Sequence, residues 1–133
     1  MVAFGDEHAG FSVEYDGRLR AVRLDTWGFW PSHVAQEVAA RVRDAFGAAG
    51  SPSCFIINAS RLVPQRDEGQ KALADLLTSV ASLNASTIAV IVPNVLMKMQ
   101  FVRISRAVKL RDLLYFQNSE EADSVVFRIA QKT

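Results

Sequence analysis

Apolar and polar residues alternate along Phe11-Ser-Val-Glu-Tyr15 and again along Leu19-Arg-Ala-Val-Arg-Leu24, the period of strands with one buried face. Asp16-Gly17 lies between them and suits the positive φ angles of a tight two-residue turn, so the pair predicts a hairpin. Arg18, Arg20 and Arg23 hold polar positions around the second strand and predict one wet face. The period then changes. After Trp30-Pro31-Ser32, the residues Val34, Val38, Val42 and Phe46 recur every four positions, joined by Ala35, Ala39, Ala45 and Ala49, which is the stripe of a helix packed on a sheet. Gly50, Ser51 and Pro52 end that helix, and Cys54-Phe-Ile-Ile57 is an unbroken apolar run of the kind buried in the centre of a parallel sheet.

A polar loop is expected from Asn58 to Asp67, then a helix to about Leu83 with Leu73, Leu76, Leu77, Val80 and Leu83 on one side. Thr87-Ile-Ala-Val-Ile-Val92 is another buried strand, stopped by Pro93. Val95 to Val108 mixes Leu96, Met99 and Val102 with Arg103, Arg106 and Lys109 in helical spacing, although Phe101 and Ile104 blur the division into two faces. Leu113-Leu-Tyr-Phe116 is a short last strand. Asn118 and Glu121 have the spacing of a capping box that opens a terminal helix buried through Ala122, Val125, Val126 and Ile129. The order β-β-α-β-α-β-α-β-α predicts one α/β domain over residues 1–133, with a mixed, mainly parallel sheet, an antiparallel edge hairpin and residues 1–10 as a loose arm.

Composition narrows the function classes. Half of the 133 residues are hydrophobic, enough for one packed core. The 15 Lys and Arg nearly cancel 14 Asp and Glu, which disfavours a nucleic-acid binder. One cysteine, Cys54, with only His8 and His33 beside it, argues against a metal site or an internal disulfide, and no cofactor motif of the G-x-G-x-x-G, G-x-x-x-x-G-K-[ST] or H-E-x-x-H type occurs. Met1 to Gly10 lacks a signal layout and no apolar run approaches the roughly 18 residues of a membrane span, so a cytoplasmic protein is expected.

The stretch Ile57-Asn-Ala-Ser-Arg-Leu-Val-Pro-Gln-Arg-Asp-Glu-Gly69, set in this order of elements from Phe11 to Ile129, resembles the STAS family of bacterial anti-sigma-factor antagonists and of the cytoplasmic domains of sulfate transporters. The resemblance implies that Asn58 falls where the family has a strand-end Asp and that Gly69 falls on its helix-start glycine. Arg66, Asp67 and Glu68 then replace Asp-Ser-Ser, whose second serine is phosphorylated by a partner kinase. No hydroxyl stands at that position here. Asp67 and Glu68 put permanent negative charge where a phosphate would sit. They are also ordinary acids for a helix N-terminus, each contributing about 0.3–1 kcal/mol there, and that plainer role is preferred.

Residue chemistry offers little to an enzyme. His33 and Glu37 have the spacing of a surface contact one helical turn apart, Cys54 fits a small core residue, and a hydrolase would need a titratable pair that no motif reveals. Two features stand out. Trp27, Phe29 and Trp30 crowd the connection between the second strand and the first helix, either as a lid that closes the sheet or as exposed anchors for a partner or apolar ligand. Lys98, Arg103, Arg106, Lys109 and Arg111 gather five positive charges without an acid among them, as a solvated face or as a site for an anion, an acidic partner or an anionic membrane surface contacted peripherally.

The leading expectation is a non-enzymatic regulatory module that binds a protein partner through Asn58, Arg66, Asp67, Glu68 and Gly69. The alternative is a small-molecule or lipid-binding domain in which the Trp27 to Trp30 cluster and the basic residues Lys98, Arg103 and Arg106 form one apolar, cationic pocket. Homodimerisation through a sheet edge or the aromatic cluster is a further expectation.

Overall fold

The computed structural model describes residues 1–50, 52–110 and 112–132. The elements are β1 (Val2–Gly5), β2 (Gly10–Asp16), β3 (Ala21–Gly28), α1 (Ser32–Ala35), α2 (Val38–Ala49), β4 (Cys54–Leu62), α3 (Asp67–Ser82), β5 (Thr87–Ile91), α4 (Val95–Ala107), β6 (Leu113–Phe116) and α5 (Ser119–Gln131). The strands lie side by side in chain order, with β1, β2 and β3 antiparallel and β3 through β6 parallel. Every parallel step crosses the sheet in the same direction, so crossovers of one hand deliver their helices to one face. That face carries the main core, in which Phe11, Leu24, Phe55, Ile57 and Val90 meet Val38, Val42 and Phe46 of α2, Leu73, Leu76 and Leu77 of α3, and Met97 and Phe101 of α4.

The opposite face is left to α5. Leu19, Ala21, Cys54, Ile56, Ala89 and Ile91 pack there against Ala122 and Val126. Strand parity makes the division, since Cys54 and Ile56 point one way while Phe55 and Ile57 point the other. The result is the mixed α/β domain expected from the sequence, with one strand more.

That extra strand is β1, in place of the loose arm. Phe4 stacks on Phe11 at 5.7 Å between ring centroids, and the Arg41 guanidinium covers the Phe4 ring at 5.5 Å. The hairpin between β2 and β3 also differs from expectation. Asp16 pairs with Ala21, leaving a four-residue loop instead of a two-residue turn. The Asp16 carboxylate accepts from the backbone N–H of Arg18 and of Leu19, while Arg20 takes the left-handed conformation at φ 51°. The face expected to be wet is partly covered: Leu19 is buried, and Arg23 pairs with Asp123 of α5 at 2.8 Å.

The first helix keeps its buried series Val34, Val38, Val42 and Phe46 but breaks at Gln36-Glu37, where the Glu37 N–H bonds the Val34 carbonyl in place of continuing the α-ladder. Glu37 then pairs forward with Arg41 at 3.2 Å in place of the expected His33 contact. In α3, Leu83 lies past the helix and is exposed, unlike the four apolar residues before it.

The segment from Asn58 to Leu62 is strand, not loop. Asp25 pairs with Asn58 and Trp27 with Arg61, so β4 carries one extra residue opposite Thr26. That bulge shifts the parity: Ala59 is buried, Ser60 and Arg61 are exposed, and Leu62 returns to the core.

Candidate functional site

Beyond the bulge, β3 and β4 end together, and the chain leaves them toward α1 and α3. Gln65 sits between these two exits and is 3% exposed. Its side-chain oxygen accepts the Trp30 N–H at 3.0 Å, and its side-chain nitrogen donates to the carbonyls of Gly28 at 3.0 Å and Val63 at 2.6 Å. Gln100, buried on α4, accepts from the Gln65 N–H at 2.7 Å and donates to the Gln65 carbonyl at 2.8 Å, pairing as a strand neighbour would. Two glutamines thus fix three segments together without a charge.

The Gln65 side chain explains Gly69. A Cβ at that position would lie 2.4 Å from Gln65 Oε1 and 2.7 Å from Gln65 Cβ, so the first turn of α3 closes over the glutamine only if residue 69 lacks a side chain. Gly69 is buried, while Arg66, Asp67 and Glu68 are exposed around it. Asp67 and Glu68 stand in the first turn of α3, where the helix dipole favours them, and no side chain caps that helix. The Ser32 hydroxyl donates to the Glu68 carboxylate, joining α1 to α3.

These contacts bring together two of the features singled out in the sequence. Phe29, Trp30, Pro31 and Ser32 from one side and Arg66, Asp67, Glu68 and Gly69 from the other line a groove of about 280 Å³. The aromatic cluster itself is divided. Trp30 is 2% exposed and donates its indole N–H to the Gly10 carbonyl at 3.0 Å, and its ring meets Phe11 edge-on. Trp27 donates to the Asp6 carbonyl at 2.7 Å, and Arg61 lies over its ring at 5.3 Å. Phe29, at 47% exposure, is the ring of the three that faces outward.

Asn58 lies mid-strand and serves β4 itself: its side-chain oxygen accepts from the Ser60 N–H at 3.1 Å and from the Ser60 hydroxyl, and its carbonyl accepts from Thr26. The groove linings above do not include it.

The basic segment forms a separate surface. Lys98, Arg103 and Arg106 border a depression on α4, and Arg106 and Lys109 line another between α4 and β6; neither is lined by Trp27, Phe29 or Trp30, with which a single apolar and cationic pocket was expected. Arg111 lies outside the described residues. Met97, Gln100, Phe101, Ile104 and Ser105 make the inward side of α4, leaving Leu96 and Met99 on the outside with the bases they are mixed with in the sequence. Gln100 was detectable in principle, because positions 97, 100, 101 and 104 share a helical face and a polar residue there calls for a buried partner. Gln65, in a segment expected to be loop, carried no such signal. Cys54 is fully buried, and burial pushes its thiol pKa up. Among the described residues, no three His, Cys, Asp or Glu side chains are grouped to hold a metal ion, and no helix is long and apolar enough to cross a membrane.

No protein-family model matches this sequence, and no curated protein matches it significantly. Solved structures do match. The unphosphorylated form of the anti-sigma factor antagonist SpoIIAA superposes with a TM-score of 0.64 at 17% identity, over 90% of this chain and 97% of that one. The fold is STAS-like. An anti-sigma factor antagonist from Mycobacterium paratuberculosis gives a TM-score of 0.56 at 16% identity, over 92% of this chain and 97% of its own. The STAS-like likeness is one of fold, and in this chain the groove between α1 and α3 is built by the Gln65 and Ser32 contacts.

Proposed function

We propose that this chain is a non-enzymatic regulatory module that binds a protein partner at the groove between Phe29 to Ser32 and the start of α3. The observation that carries the reading is the joint surface itself: an outward Phe29 ring beside Arg66, Asp67 and Glu68, on a support held by buried hydrogen bonds. An aromatic anchor ringed by charged groups is the composition of a protein-binding hot spot. The STAS-like fold of two anti-sigma factor antagonists supports the class of function. Glu68, where the family resemblance places a phosphorylated serine, contributes a fixed negative charge to the rim of the groove, as an acid in the first turn of α3. Asn58, bonded within its own strand, belongs to the support of the site, and Gly69 to its packing.

The test is affinity capture from a lysate with the wild type and with Asp67→Ser, Glu68→Ser and Phe29→Ala. A protein retained by the wild type and lost by Phe29→Ala and at least one serine variant supports the site; retention of the same proteins by all variants removes it. For self-association, Phe29 alone of the three rings is outward, which leaves the open edges β1 and β6 as the stronger surfaces. Sedimentation equilibrium distinguishes a dimer from a 14.7 kDa monomer.

A further inference from the structure

The outer side of α4 combines two properties that a solvated helix rarely keeps together. Val95, Leu96 and Met99 stand 70%, 66% and 56% exposed on its first turns, spaced so that their side chains project from one broad side. Exposed Lys98, Arg103 and Arg106 are interleaved with them, and Val95 to Ala107 contains no acid. Asp112 is the nearest acid that follows in sequence, beyond the helix end. Lys98 is steadied at the rim by the Tyr115 ring, 5.4 Å from its ammonium nitrogen. The helix is held from beneath by Phe101, Met97 and the Gln65–Gln100 pair, so its outer side is presented on a fixed support.

We propose that this side of α4 seats on an anionic lipid surface. Val95, Leu96 and Met99 enter the boundary between headgroups and acyl chains, while Lys98, Arg103 and Arg106 meet the lipid phosphates, with the helix lying in the plane of the interface. Charge complementarity selects an anionic occupant, because the bases have no acid among them to neutralise them. The apolar residues select a fluid one: they protrude from a convex helix, and an interface receives flexible Leu and Met side chains without needing a pocket shaped to each. This surface is distinct from the groove between α1 and α3, so its fate does not depend on the partner-binding reading.

Vesicle flotation tests the proposal with the full chain, using phosphatidylcholine alone and phosphatidylcholine containing one-third phosphatidylglycerol. The wild type is expected to float with the anionic vesicles and to remain behind with the neutral ones. Arg103→Gln with Arg106→Gln should weaken the partition roughly 25-fold, from about fivefold for each base at the surface. Leu96→Ser with Met99→Ser should weaken it about tenfold. All four positions are exposed, and far-UV circular dichroism melting checks that the variants fold. Failure to float, equal flotation with neutral vesicles, or serine variants that bind as the wild type does would overturn the proposal. The last result, joined by displacement with soluble polyglutamate, would assign the face to an acidic protein.

Discussion

Replacing Gln65 by alanine removes one acceptor and one two-handed donor from a site that is 3% exposed. The buried Trp30 N–H loses its partner at 3.0 Å, the Val63 carbonyl loses its donor at 2.6 Å, and the Gly28 carbonyl loses one donor at 3.0 Å while keeping the Val63 N–H at 3.4 Å. Stranding a buried donor costs about 1–3 kcal/mol, and the two carbonyls, nearer to water, add about 0.5–1 kcal/mol each, so a loss of roughly 3 kcal/mol is expected. With a urea slope of about 2 kcal/mol/M, the unfolding midpoint should fall by about 1.5 M at unchanged slope. Gln65→Glu is the control for chemistry: it keeps an acceptor for Trp30 but sets a carboxylate against two carbonyls, so it should be no more stable than alanine at neutral pH. Gly69→Ala adds a coupled measurement. Its Cβ would meet Gln65 Oε1 at 2.4 Å and Gln65 Cβ at 2.7 Å, so its cost should shrink, without vanishing, when Gln65 is alanine. A midpoint shift under about 0.5 M for Gln65→Ala, or strictly additive costs in the double variant, would refute the account of Gln65 as the tie between the two sides of the groove.

Cys54 should resist a thiol reagent at pH 8 in the native state and react fully in denaturant; because burial raises its pKa, the stability tied to its neutral form is present below the unfolded value and is lost as pH rises through the folded one, which a pH series of urea melts above about pH 9 would detect against Cys54→Ala. Arg23→Ala and Asp123→Ala should show a coupling of about 1 kcal/mol in a double-mutant cycle of urea unfolding, since the pair meets at 2.8 Å with side chains 16% and 29% exposed. Asn118→Ala should cost about 1 kcal/mol in the same assay, because the Asn118 side chain accepts the Glu121 N–H at 2.9 Å and donates to the Glu121 carboxylate at 3.2 Å.

The elements that were legible in the sequence are those whose cause is local. Cys54 to Ile57, Thr87 to Ile91 and Leu113 to Phe116 are short apolar runs, and the Asn118 cap declares itself within four residues. β1 was not legible because Phe4 finds its reason in Phe11 and Arg41, distant partners that no periodicity shows. The end of β4 was hidden by its bulge, which sets the exposed Ser60 and Arg61 side by side and imitates a loop. On α4 apolar residues occur on every side, so their spacing could not choose between Phe101, which is buried, and Met99, which is not. At the groove, the acids of α3 and the aromatic run were visible as separate features. Their meeting depended on Gln65, whose role comes entirely from tertiary hydrogen bonds.

The placement of α5 alone on the second face has a consequence for synthesis on the ribosome. Strands laid down in chain order let each new one join an edge already formed, so the sheet and the α1 to α4 side can assemble as the chain emerges. The other side cannot. Until Ser119–Gln131 has cleared the exit tunnel, Cys54, Ile56, Ala89 and Ile91 have no helix over them, and the nascent chain carries a bare apolar plate. A nascent chain stalled before α5 is therefore the species for which chaperones and proteases would compete.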